Sequence, residues 1–137
     1  MTEEKEDLVN HPNHYTSNES GIETIEVTSP LRFCPANSLK YLSRANLKGS
    51  TEQDLLKSVW YLEYMLKDEN NATGATRGLS QKEISFVEGL DASENIKQAM
   101  NLIFEGAISG GAQYNSKSIQ GAVNLIKAEA EKFKQED

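Results

Sequence analysis

"ENIKQAMNLIFEGAISGGAQYNSKSIQGAVNLIKAEA", residues 94–130, sets two apolar stripes of the same period on either side of a glycine-rich break. Ile96, Ala99, Met100, Ile103 and Ala107 stand at i, i+3, i+4, i+7 and i+11, and Ile119, Ala122, Val123, Ile126 and Ala130 repeat that spacing. Residues so spaced share one side of an α-helix, where each residue turns the chain by about 100°. "SGGAQYNS" between them, residues 109–116, is expected to reverse the chain and make an αα-hairpin. The same break can be tested as a phosphate loop, because Gly106 and Gly111 have the opening spacing of one. That loop needs Lys and then Ser or Thr next, to bring an ammonium to the phosphates and a hydroxyl to magnesium. Ala112 and Gln113 stand there instead, after a helix and not a strand. The P-loop is rejected.

Moving toward the N-terminus, a short helix is expected at 82–90, preceded by the loop "DENNATGATRGLS" at 68–80. A longer helix covers 51–68, capped by Ser50 or Thr51, with Asp54 completing a capping-box-like spacing from Thr51. Its buried line reads Leu55, Val59, Leu62 and Leu66, widened by Leu56 and Trp60. Another helix covers 35–48, with Pro35 in its opening turn, Gly49 as its cap and a stripe of Ala36, Leu39, Leu42 and Ala45. Only "GIETIEV", residues 21–27, reads as well for strand as for helix, and Pro30 ends whichever forms. The expected fold class is all-α: a small helical bundle with an N-terminal extended segment and a C-terminal amphipathic helical hairpin. One small strand pair at the N-terminal side is the β alternative. The expected divisions are a disordered acidic tail (1–9), a region carrying the ligand site (10–68), a loop (69–80) and the hairpin region (81–137). Both hairpin stripes are complete in a short chain, so they are expected to build a homo-oligomer with Ile103 and Ile126 near its axis.

The chain has 137 residues, 37% hydrophobic and 26% charged, which suits one domain of ordinary globular composition. Its net charge of −7 repels phosphate on average, so nucleic acid and anionic membrane are unlikely partners. A membrane span needs about 20 consecutive apolar residues, and no such run occurs. "MTEEKEDLV" at the start is acidic, without the apolar core of a secretory leader. Cys34 is the single cysteine, which excludes an intrachain disulfide and fits a reducing cytoplasm. The sequons at Asn18 and Asn71 are then chance matches.

Against that acidic background, Lys40, Arg44 and Lys48 fall on one helical line, with Asn37 one turn earlier. Like charges so spaced cost a few tenths of a kcal/mol per pair (about 0.2–0.5), so the stripe asks for an anionic partner. That partner is either acidic side chains from elsewhere or a bound phosphate or carboxylate. Lys57, Tyr61 and Tyr64 make a second polar-aromatic line on the next helix. If the two helices pack antiparallel, the lines flank one groove in which a ring could stack on a base. Upstream, His11, Pro12, His14 and Tyr15 crowd into a tail that has no structural need of them. His11 and His14 have a spacing seen at metal sites, but nothing near them completes a zinc set, and no metal is expected.

"HPNHY" (11–15), "GIETIEV" (21–27), "FCPANSLKYLSR" (33–44) and "DLLKSVWYLEYML" (54–66) occur in the order and spacing of the SaV-like family of small bacteriophage proteins, which this chain resembles over about residues 9–66. That family was long labelled a domain of unknown function, and some members are described as nucleotide kinases. The resemblance implies a phage origin and a role in the host cell cytoplasm during infection. It matches His11, His14, Tyr15, Asn37, Lys40, Tyr41, Arg44 and Trp60 to the family's recurring positions. The chain departs from the pattern at Ala36, where the family has glycine, at Ser43, where it has an aromatic, and in "NLKG" (46–49), where it has a Gly-Lys-Lys-like run. The expected ligand site comprises His11, His14, Tyr15, Asn37, Lys40, Tyr41, Arg44, Lys48, Lys57 and Tyr61, with the histidine box as a flap over the cationic helix. The alternative is that the box merely covers the bundle. The leading function is binding of a phosphorylated nucleotide or similar small molecule, sequestering a host signal as counter-defence. A nucleoside monophosphate kinase without a P-loop is the alternative, and it alone needs Mg2+, held by Asp54 or Glu63. A module that engages a host defence protein is the third.

Overall fold

The computed structural model describes residues 18–45, 51–67, 80–107 and 115–134. These hold six helices and no strand: α1 Thr24–Thr28, α2 Phe33–Arg44, α3 Thr51–Lys67, α4 Gln81–Glu88, α5 Glu94–Ala107 and α6 Ser116–Lys134. The fold is all-α, as the periodicities require. His11, His14, Tyr15 and Lys48 lie outside the described residues, as do the acidic tail, the loop at 68–79 and most of the turn between α5 and α6.

The ambiguous "GIETIEV" resolves as a helix because its polar residues close an N-terminal capping box. Glu23 caps α1, and its N–H donates to the Glu26 carboxylate at 2.8 Å. That bond, then Lys82, holds the Glu26 carboxyl below the usual carboxylate range. The cap is therefore intact at neutral pH and is lost as pH falls through this lowered value. Gly21, at φ 78°, closes the preceding turn by donating its N–H to the Asn18 carbonyl, a conformation that suits glycine. Asn18 pins this entry to α4 through a 2.7 Å bond from Nδ2 to the Phe86 carbonyl, so this sequon asparagine has a structural task. At Gly89 a Cβ would overlap Asn18 Oδ1 and come within 2.7 Å of the Ser20 nitrogen.

α5 and α6 form the expected hairpin; α6 packs on α3, α5 packs on α2 and α4, and α2 lies against α3. Asn115 stitches the hairpin: its N–H donates to the Gly106 carbonyl, and its Oδ1 accepts from the N–H groups of Lys117 and Ser118 at the start of α6. Met100, Ile103, Ile119, Val123 and Ile126 are fully buried, alongside Leu39, Leu62 and Phe104. Burying one such side chain is worth about 1.5–3 kcal/mol. Ile103 and Ile126, expected at a symmetry axis, are thus consumed inside one chain: α3 packs on α6 and α2 on α5, so both stripes close internally. The stripes give no ground for an oligomer.

α3 corrects the expected stripe in one respect. Leu55, Val59 and Leu62 are buried, but the line continues through Ser58 and Met65, while Leu56 is 42% and Trp60 59% exposed. Each of the latter lies one residue on from a buried neighbour, about 100° around the helix and off the core. Thr51 also departs from expectation. It is the first helical residue, and its hydroxyl donates to the Ala45 carbonyl, closing the end of α2. Among the described residues no helix is long and apolar enough to cross a membrane.

Ile103→Asp with Ile126→Asp should unfold the single chain, seen as loss of helical circular dichroism, where an assembly role would leave folded monomers. Ile126→Ala alone should cost about 2–5 kcal/mol in urea denaturation. Gly106→Ala should be net destabilising despite alanine's better helix propensity. Its Cβ would sit 2.8 Å from Ile119 Cδ1 and 3.1 Å from the Asn115 carbonyl oxygen, and overpacking of about 1–3 kcal/mol exceeds the roughly 1 kcal/mol of propensity gained.

Candidate functional site

α2 and α3 run antiparallel, since Phe33 at the start of α2 meets Tyr61 while Arg44 at its end meets Asp54. The two polar lines therefore face each other. Tyr41 and Tyr61 stack nearly parallel, 14° apart with centroids at 5.9 Å. Three cations gather on the Tyr41 ring: Arg44 at 4.8 Å, Lys40 at 5.2 Å and Lys57 at 5.4 Å from its centroid. Each such contact is worth about 0.5–1 kcal/mol where water reaches it. The ring quadrupole offsets part of the repulsion among three cations and does not neutralise it.

One carboxylate enters this cluster from below. Asp54 is 1% exposed, and its Oδ1 lies 3.4 Å from Arg44 Nη2; its other oxygen is buried without a hydrogen-bond partner among the described residues. Asp54 was expected as a capping residue or a magnesium ligand. It is instead the buried anchor that sets the Arg44 guanidinium against Tyr41. Glu63, the other candidate for magnesium, pairs with Lys127 of α6 at 3.0 Å. Asn37 spends its amide on its own helix, donating to the Phe33 carbonyl at 2.8 Å.

Beside the cations the aromatic surface continues. Trp60 stands perpendicular to Tyr61 (88°, 5.2 Å) and stacks on Tyr64 (25°, 5.6 Å), and Phe33 meets Tyr61 edge-on (72°, 5.7 Å). Together with Cys34 these residues line an open cleft of about 370 Å³. Small-molecule sites run from about 300 Å³ upward, so the cleft is large enough for one. A second crevice near Leu42, Ile96 and Phe133, of about 30 Å³, has room only for a water.

The structure thus brings together Lys40, Tyr41, Arg44, Lys57 and Tyr61 and turns Asn37 back on its own helix. A groove beside Tyr61 and Tyr64 is what the sequence suggests, but Phe33 and Trp60 as its exposed walls are not. Phe33 precedes Pro35, where the expected helix opened, and its exposure depends on how α2 docks. Of the departures from the SaV-like pattern, Ser43 bears on packing: it is buried against α1, accepting from Thr24 Oγ1 and donating to the Lys40 carbonyl. An aromatic side chain would not fit that contact.

Residues 9–63 match a family described only as a protein of unknown function, DUF3310. The matched segment takes in α1, α2 and most of α3, and with them every residue of the cation cluster, while α4, α5 and α6 lie outside it. No curated protein and no solved structure matches the chain.

The buried anchor separates two residues that look alike in sequence. Arg44→Ala leaves the Asp54 carboxylate buried without its cation and should cost about 3–5 kcal/mol. Lys40→Ala should stay within about 1 kcal/mol. Urea denaturation of both variants checks this, and equal costs would contradict the anchoring role of Asp54.

Proposed function

We propose that this chain binds a phosphorylated nucleotide on the face shared by α2 and α3, as a binder and not a catalyst. The observation that carries the reading is the Tyr41 ring with Lys40, Arg44 and Lys57 around it and Tyr61 stacked on it. Three cations sit together in a chain of net charge −7, and one of them, Arg44, is anchored on the buried Asp54 carboxylate. Such a cluster is stabilised most by an anion with several oxygens, which a phosphate provides, while the adjoining aromatic rings suit a base. Binding is favoured over phosphoryl transfer because Asp54 and Glu63 are already committed to Arg44 and Lys127.

The setting follows from the SaV-like resemblance: a phage protein in the host cytoplasm that holds a nucleotide-derived signal intact and away from a host defence. All the residues invoked come from one chain, so the reading needs no homo-oligomer. A docking face for a host protein, built on the exposed Phe33, Trp60 and Tyr64, is the second reading; it does not require affinity for small phosphates.

Lys40→Ala with Lys57→Ala tests the proposal without disturbing the Asp54 anchor. A hydrogen bond to a charged group is worth about 1.5–3 kcal/mol. The double variant should therefore bind ATP at least about tenfold more weakly in calorimetry, with helical circular dichroism unchanged. Wild-type affinity should fall as salt rises. Equal affinity in variant and wild type, or no binding of ATP at millimolar concentration, contradicts the proposal.

A further inference from the structure

We infer that the cleft lined by Phe33, Trp60, Tyr61 and Tyr64 is a base subsite that holds the nucleobase by stacking alone, so that the protein favours purine over pyrimidine nucleotides without distinguishing adenine from guanine. The inference rests on the nucleotide reading and adds to it where the base lies and how it is chosen.

Three large rings stand open to water at one place: Phe33 is 65%, Trp60 59% and Tyr64 45% exposed. A single exposed aromatic is common, but a contiguous group around one cleft marks a binding surface. Trp60 and Tyr61 meet at 88° and form two walls of a corner, with Phe33 set at 72° to Tyr61 as a further wall. A flat ring entering that corner can stack on one wall and offer its edge to another, the two arrangements aromatic pairs prefer.

Charge selects a nucleotide over an apolar peptide side chain as the occupant. Tyr61 belongs both to the cleft and to the stack on Tyr41, whose ring carries Lys40, Arg44 and Lys57. An occupant with an aromatic end and a polyanionic end, joined by a short linker, satisfies both halves, and a nucleoside phosphate has that form. The cleft, at about 370 Å³, lies near the lower end of small-molecule sites. The net charge of −7 further disfavours a long polyanion. One nucleotide fits better than a strand.

Selectivity follows from what the lining lacks. Among the described residues the lining is Phe33, Cys34, Trp60, Tyr61 and Tyr64, with no amide or carboxylate side chain, only two phenols, an indole N–H and a thiol. A site without a built donor and acceptor pattern cannot reject one base edge in favour of another. Stacking is sequence-tolerant and grows with the ring area covered, so the two-ring bases gain most.

Trp60 is the only tryptophan, so tryptophan fluorescence, excited where tyrosine does not absorb, reports on this cleft. The full chain is titrated with AMP, GMP, CMP and UMP, and with ribose 5-phosphate as a probe that lacks a base. The four nucleotides should quench Trp60, with AMP and GMP binding within about twofold of each other and severalfold tighter than CMP and UMP. Ribose 5-phosphate should displace AMP and reverse its quenching, without quenching on its own. In calorimetry Trp60→Ala should weaken AMP at least tenfold and leave ribose 5-phosphate unchanged, while Trp60→Phe should keep most of the affinity. The residue is exposed, and circular dichroism confirms that both variants fold. AMP binding that neither quenches Trp60 nor responds to Trp60→Ala overturns the base subsite while leaving the anion site standing. Pyrimidines binding as tightly as purines, or a ten-residue oligothymidylate binding more tightly than AMP, also overturn it. Failure of all five probes to bind overturns the nucleotide reading itself.

Discussion

The buried Asp54 carboxylate constrains how α2 and α3 meet. Leaving a carboxylate inside a protein without a cation is costly, and here the end of α2 supplies that cation as Arg44, at 3.4 Å. The pair ties the last turn of α2 to the first turn of α3 and so fixes their antiparallel register. Once the register is set, Tyr41 meets Tyr61, Lys57 reaches across to the Tyr41 ring, and Phe33 arrives beside Trp60 and Tyr64. One ion pair thereby orders both the cationic cluster and the aromatic cleft.

The rest of the chain divides its labour around that face. α6 closes its stripe on α3 and α5 on α2, and both spend their apolar residues on the interior. Buried Glu129 is met by Asn95 and Lys132, and Glu63 by Lys127. The α2–α3 face shows the reverse economy, with cations gathered on a ring and large aromatics left open to water. Proteins that violate the usual rules of burial and charge in one confined place tend to do so where they bind something.

The helices were legible because their apolar residues recur at helical spacing between proline, glycine and capping signals, and the order of elements from 35 onward follows from those two together. Three features were not legible, each for a physical reason. "GIETIEV" carries too few apolar residues to decide between strand and helix, and the decision came from the Glu23–Glu26 cap and the Gly21 turn. The stripes of α5 and α6 suggest an oligomer seam when read alone; only the positions of α2 and α3 show that Ile103 and Ile126 are internal. Asp54 reads as a cap residue because Thr51 stands three before it, and its burial under Arg44 is a long-range consequence of packing. At the site, the cation line and Tyr61 could be named in advance because they repeat on one helix face. Phe33 and Trp60 as walls of the cleft depend on how two helices meet and could not be.

The most direct test of the account is amide-resolved NMR of the uniformly labelled chain during titration with AMP. Ligand seated across the α2–α3 face should concentrate the chemical-shift changes on residues 33–44 and 57–64, with the indole N–H of Trp60 among the largest, and leave α5 and α6 nearly still. Changes centred on α5 and α6, or spread evenly with no maximum on the α2–α3 face, would contradict it.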